Sequence, residues 1–358
     1  MYIILLPIEP LEERYSADWL DWSESYLANQ DTVNPDFDWD IILPESRYTS
    51  IESGEFLDCI GTNKFKADQL SMTIDWIKEN HDLLIERKDV VFWLHDGWFP
   101  GIEMLAYIRD SIGYSYKIAA CLHAGTWDEQ DFLSQKGMGI WGHSLEQSWM
   151  RIYDYIFVAT RFHRDLLISK FRYIGQKIHI TGFPICPLPQ EVPVPKEDIV
   201  VFPHRLAPEK RPEAFLELAR KAQEIPSLDR YTFIRTKDVC KTKAEYYSLL
   251  AKAKYSVSFA LQETWGIAMQ ESVLLGCIPI VPDRLSYSEM YPSIFKMEDH
   301  AVLDKFIALE ADPRRVTAPL KSLEENIIIA GFRAISNMLK VMYNKESYYD
   351  SPYIGDNK

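Results

Sequence analysis

The chain has no long apolar run. None of its 358 residues belong to an uninterrupted apolar stretch of about 18 or more, and the opening MYIILLPIEPLEERY has no basic residues ahead of its apolar part, so neither a membrane span nor a secretory signal is expected. Cysteine is sparse and patternless. The five, Cys59, Cys121, Cys186, Cys240 and Cys277, never form a CxxC pair, which argues against a disulfide framework or structural zinc and for a reducing, cytoplasmic setting. No glycine-rich loop follows the first apolar segment, since LLPIEPLEERYS contains no glycine. A DxD pattern of the metal-binding kind occurs only in DFDWD, Asp36 to Asp40, away from any expected strand end, so no metal site is assigned.

What the chain does have is a large apolar fraction and a lopsided charge. At 47% hydrophobic, 358 residues suffice for a large core and favour two domains over one. The formal net charge of −14 resides entirely in the first hundred residues, which hold 21 acidic and 7 basic side chains against 32 of each in the remainder. Within them, Glu12 to Asp58 carries 13 acids and 2 bases interleaved with Trp19, Trp22, Tyr26, Phe37, Trp39 and Tyr48. So many aromatics favour burial over disorder, and the segment from about 11 to 58 reads as an acidic, aromatic insertion.

Short apolar runs alternate with amphipathic stretches through most of the chain, the pattern of parallel α/β architecture. Strands are expected at Tyr2–Leu6, Val90–Leu94, Lys117–Leu122 and Tyr155–Ala159, then, after a proline-rich linker (184–196), at Ile199–Phe202, Tyr231–Arg235, Tyr255–Phe259 and Ile278–Val281. The expectation is two Rossmann-like, doubly wound domains (1–183 and 197–318) facing a cleft, with a terminal helix in 319–358 that crosses back to the first.

The most informative segment is QETWGIAMQESVLLGCIPIVP, Gln262 to Pro282, where Glu263 and Glu271 stand eight residues apart. Glu263 falls in the loop beyond a strand, where ligands bind in open α/β sheets, and Gly266-Ile267 open a helix whose first amides and dipole suit a phosphate. Taken alone, Glu263 could simply complement that dipole and Glu271 could be a surface residue. A second segment, VVFPHRLAPEKRPEAF, Val200 to Phe215, places Arg205 and Lys210 in the loop after the first strand of the second half.

These two segments resemble the nucleotide-sugar domain of retaining GT-B glycosyltransferases, those of glycosyltransferase family 4 in particular. The resemblance implies that Glu263 meets hydroxyls of the donor sugar, that Glu271 holds the nucleotide ribose, that Arg205 and Lys210 stabilise the departing diphosphate, and that Trp265, Gly266 and Ile267 border it. FWLHDGWFPGIEML and ACLHAGTWDEQD are similar to that family's loops in the first domain, with His95 and Asp96 at one strand end and His123 near the reacting carbon. The implied reaction is transfer with retention from a nucleotide-diphosphate sugar, a UDP-sugar ahead of a GDP-sugar, with no tightly bound cofactor. An epimerase or phosphorylase of the same fold, or a non-catalytic binding protein, would keep much of this constellation. The opening LLPIEPLEERYS resembles glycosyltransferases of large tailed phages, which implies a hydroxymethylpyrimidine of phage DNA as acceptor and the host cytoplasm as location, with a glycan, lipid or small molecule as alternative. The basic runs Arg235–Lys243 and Arg172–Lys177 could follow phosphates, and Trp98 or Trp127 could serve as a platform for a flipped base.

Overall fold

A computed structural model describes residues 1–45, 58–185 and 194–344 of the chain. Most of the proline-rich linker, including Cys186, and the end of the acidic segment lie outside the described residues. The described residues divide into two compact units: 1–45, 58–184 and 333–344 in the first, 185 and 194–332 in the second.

The first unit runs β1 (Tyr2–Leu6), α1 (Tyr15–Val33), β2 (Asp38–Ile41), α2 (Cys59–Glu79), α3 (His81–Glu86), β3 (Val90–Leu94), α4 (Ile102–Ile112), β4 (Lys117–Cys121), α5 (Phe132–Gln135), α6 (Gly139–Ile152), β5 (Tyr155–Val158), α7 (Arg161–Lys170) and β6 (Ile178–Ile180). All its strands pair in parallel, in the order β2-β1-β3-β4-β5-β6. Near-continuous apolar runs such as VVFWL and YIILL form the central strands because both faces of a parallel sheet are covered. Every residue of β3 is buried.

The stretch read as an insertion is not one, as far as residue 45. It contains α1, the first crossover helix, and β2, whose Tyr2↔Asp38 register makes it an edge strand of the sheet. Two of its aromatics, Trp19 and Phe37, are buried packing groups. The DFDWD acids are structural as well. Asp40 accepts from the Tyr2 hydroxyl at 2.5 Å and the Trp76 indole at 2.9 Å, and Asp38 pairs with Arg87 at 2.5 Å.

The second unit runs β7 (Glu197–Phe202), α8 (Pro212–Ala222), β8 (Thr232–Arg235), α9 (Thr236–Val239), α10 (Lys243–Lys252), β9 (Ala253–Val257), α11 (Ile267–Leu274), β10 (Ile278–Pro282), α12 (Tyr287–Met290), β11 (Lys296–Met297) and α13 (Val302–Ala311), then enters the long α14 (Arg314–Asn344), whose residues from Arg333 belong to the first unit. Its parallel sheet is ordered β8-β7-β9-β10-β11. Each sheet reverses its winding direction once, between β1 and β3 in the first and between β7 and β9 in the second. Beyond the carboxyl ends of strands at such a switch point the connections part to opposite faces, leaving room for a ligand. The fold therefore nominates the loops after β1, β3, β7 and β9.

Candidate active site

In the second unit, Arg205 and Lys210 lie in the loop after β7, and Gln262 and Glu263 in the loop after β9. Two backbone and side-chain ties hold these loops together. Leu261 N–H donates to the Glu209 carbonyl at 2.7 Å, and the buried Lys210 ammonium donates to the Gln262 carbonyl at 2.5 Å. The Lys210 Nζ also lies 3.2 Å from Glu263 Oε2. Arg205 donates through Nε to Glu209 Oε1 at 3.0 Å. From the next strand end, Arg284 braces the β9 loop by donating to the Phe259 and Ala260 carbonyls, both at 2.9 Å. Asp299 joins Arg284 to Arg211, which adopts a left-handed φ of 57° at the start of α8.

Glu263 is the centre of this arrangement. Its Oε1 accepts the Gly266 N–H at 2.8 Å and the Thr264 N–H at 3.1 Å, wrapping the chain into a turn that Gly266 completes with φ 69°. A side chain at 266 would be strained by that φ, and its Cβ would meet the Tyr287 ring at 3.0 Å, so glycine is required there. Burial would raise the Glu263 pKa. The neighbouring Lys210 charge, His204 and the Gly266 N–H override burial and bring it down to about 2, so the carboxylate is charged at any ordinary pH. Trp265 is buried, while Ile267 and Ala268 are partly exposed at the head of α11, ahead of the Met269 and Gln270 N–H groups that donate to the Gly266 carbonyl at 3.0 Å. Glu271, on the next turn, receives the Tyr247 hydroxyl on Oε1 at 2.9 Å and the Tyr246 hydroxyl on Oε2 at 3.2 Å.

Beneath this lies a buried polar chain. His204 Nε2 is 2.9 Å from Ser258 Oγ, which is 3.2 Å from the Tyr287 hydroxyl, linking the ends of β7 and β9 to the tyrosine that packs on Gly266. Burial, reinforced by Lys210, lowers the His204 pKa to about 3 and keeps the imidazole neutral. His204, Ser258, Tyr287 and the two tyrosines on Glu271 have no spacing signature in the sequence. His204 alone had a hint, as the residue before Arg205.

The first unit assembles the other candidates. His123, beyond β4, has Nε2 2.7 Å from the His95 carbonyl, and its ring lies among Trp19 (5.1 Å), Phe183 (4.9 Å) and Tyr15 (6.0 Å). His95 is buried with Nε2 3.2 Å from Ser23 Oγ. Burial lowers both imidazoles, His95 to about 3, against the pull of Asp96 on His123. Asp96 keeps a lowered pKa despite burial because Lys66, at 2.6 Å, and His123 favour its charge. The buried Glu146 ties the two loops by accepting from the Trp98 indole at 3.1 Å and the Thr126 N–H at 2.8 Å. Trp127 is buried in the core, so the expected platform for a flipped base is not available there. Thus Arg205, Lys210, Glu263 and Gly266 come together at one switch point, with Glu271 a turn further along α11, and His95, Asp96 and His123 come together in the other unit.

Two parallel Rossmann-like sheets with such switch-point sites are the GT-B class of fold, and GT-B glycosyltransferases are among the known proteins similar in structure. Sucrose-phosphate synthase from Thermosynechococcus elongatus superposes with a TM-score of 0.63 over 96% of this chain and 98% of that one at 12% identity. HepE from Anabaena, solved with UDP and glucose, gives 0.57 over 96% and 99% at 11% identity. No protein-family model matches. In sequence the chain is 28% identical over 116 residues to the tRNA-queuosine alpha-mannosyltransferase of Drosophila melanogaster, spanning 26% of this chain and 30% of that relative's length.

Proposed function

We propose that the chain is a retaining glycosyltransferase that moves a sugar from a nucleoside diphosphate to a hydroxymethylpyrimidine of DNA. The observation that carries the donor half is the buried Lys210, fixed between Gln262 and Glu263 with Arg205 on the same loop and the amides of α11 alongside. As the bond from the anomeric carbon to the phosphate oxygen breaks, charge grows on the diphosphate, where two cations and helix amides already in place stabilise it without reorganising. The acceptor oxygen bonds the anomeric carbon on the face the diphosphate leaves, and its proton passes to a departing phosphate oxygen. Glu263 and the neutral His123 are assigned to the sugar and the reacting carbon, and Glu271 to the ribose. A UDP-sugar is our choice of donor, in keeping with the UDP bound to the structurally similar HepE.

The acceptor half rests on the phage-like opening of the sequence and on the partial identity to an enzyme whose acceptor is a modified tRNA nucleoside. That identity favours a second reading, in which the acceptor is a tRNA nucleoside. Incubation of the protein with radiolabelled UDP-glucose, UDP-N-acetylglucosamine or GDP-mannose, and with DNA containing 5-hydroxymethylcytosine or 5-hydroxymethyluracil or with bulk tRNA, tests both. Label in the DNA, with the α-anomer in the NMR spectrum of the product, is the expected result. Label in tRNA alone moves the acceptor to the second reading, and donor turnover with neither nucleic acid removes both.

A further inference from the structure

We propose that Tyr246 and Tyr247 are positioning residues that aim the Glu271 carboxylate at the 2′,3′-diol of a ribonucleoside diphosphate. This deepens the donor reading above and rests on it. Adjacent positions on a helix point in different directions, yet both phenol hydroxyls converge on one carboxylate, one to each oxygen, at 2.9 and 3.2 Å. A carboxylate has about four lone-pair directions, so two donors fix its plane without by themselves filling it. The rings are anchored. Both pack against the core formed by Val201, Leu250, Ala253 and Cys277, and Lys243 Nζ lies 5.7 Å over the Tyr247 ring.

The start of α10 is equally constrained, because Thr242 and Glu245 form a reciprocal cap immediately before the tyrosines. Burial and the nearby Glu271 push the Tyr246 pKa up, so this hydroxyl stays a donor. A glutamate of a loose surface helix could rotate among several rotamers. Here the chain holds its plane from two sides before any ligand arrives, and a vicinal diol is the ligand chemistry that returns two hydroxyl donors to one carboxylate. That makes the tyrosine pair a determinant of ribose over deoxyribose.

The test is calorimetric titration of the full chain with UDP and 2′-deoxy-UDP, and in parallel with GDP and 2′-deoxy-GDP. The wild-type chain is expected to prefer the ribonucleotide by about tenfold. In Tyr246→Phe/Tyr247→Phe, ribonucleotide affinity should fall about tenfold while deoxyribonucleotide affinity stays unchanged, and in a Glu271→Gln background the same two substitutions should add nothing. Tyr247→Phe alone, checked by circular dichroism, carries the test if the double variant does not fold, with a smaller loss in the same direction. Full retention of ribose preference in the tyrosine variants would overturn the proposal, as would an equal loss for both sugars. Absence of binding by either nucleotide pair to the wild-type chain would instead overturn the donor reading beneath it.

Discussion

At the first unit's switch point the polar groups come from distant segments: neutral His95 and the Asp96 carboxylate from the β3 loop, neutral His123 from the β4 loop, Ser23 from α1, Lys66 from α2 and Glu146 from α6. At the second unit's switch point the charged groups are delivered by two short loops, Arg205 to Lys210 and Gln262 to Gly266, over the neutral His204. Both sheets share the same strand order at the reversal, so topology alone did not produce the difference. The side chains and their partners did. Imidazoles lose their proton when desolvated, whereas the Glu263 carboxylate stays ionised because the neighbouring Lys210 charge offsets its burial. The second unit concentrates its charges in two adjacent loops, and the first sets one ion pair, Lys66 with Asp96, beside two neutral imidazoles among aromatic rings.

The comparison can be broken most sharply by removing the charges. Arg205→Ala/Lys210→Ala should lower sugar transfer by at least about a hundredfold, because two charged contacts of about 1.5–3 kcal/mol each are lost. Activity of the unaltered chain should survive excess EDTA; loss on chelation restored by manganese would show that a metal supplies the leaving-group charge instead. In the first unit, His123→Ala should reduce kcat about a hundredfold with donor Kd unchanged, measured by initial rates and calorimetry; a matching loss of donor affinity would erase the division of labour. Gly266→Ala should cost about 1–2 kcal/mol of stability in denaturant titration and weaken nucleotide binding about tenfold, since the left-handed turn would be strained against Tyr287.

Acid stability should change as well. His95 and His204 have folded-state values of about 3, below the ordinary 6.5, so the unfolded chain binds protons first and stability falls as pH drops from 6.5 toward 3, by up to about 1.4 kcal/mol per pH unit for each. Glu263, depressed to about 2, adds a further loss as pH falls from 4.5 toward 2. His204→Asn should flatten the first part of the curve in urea titrations across pH 7 to 4, and an unchanged slope would contradict the burial argument.

The second site was the more legible in sequence because its chemistry is local. Glu263 lies three residues before Gly266, and Arg205 and Lys210 share one loop, so a few consecutive residues carry the arrangement. Strand positions were legible for the same reason, as apolar runs bounded by polar loops. The acidic segment misled because aromatics and acids interleave along α1 without a clean helical stripe: Trp19 turns inward toward His95 and His123 while Asp21 and Asp31 are exposed, a distinction that only the packed sheet supplies. Trp127 misled likewise, its place in the core being set by α7 and the end of that helix, through His163 and Phe171. The tyrosines on Glu271 and the chain from His204 to Tyr287 depend on pairings 24 to 54 residues apart, which no spacing rule reaches.

The most direct measurement is calorimetric titration of UDP, GDP and ADP, in EDTA, into the wild-type chain, Arg205→Ala/Lys210→Ala and His95→Ala/His123→Ala. A nucleoside diphosphate held at the second unit's switch point predicts one site in the wild-type chain, loss of that site when the two cations are removed, and its retention when the two histidines are removed. Equal affinity in the wild-type chain and the cation-less variant, or no binding of any of the three nucleotides to the wild-type chain, would contradict it.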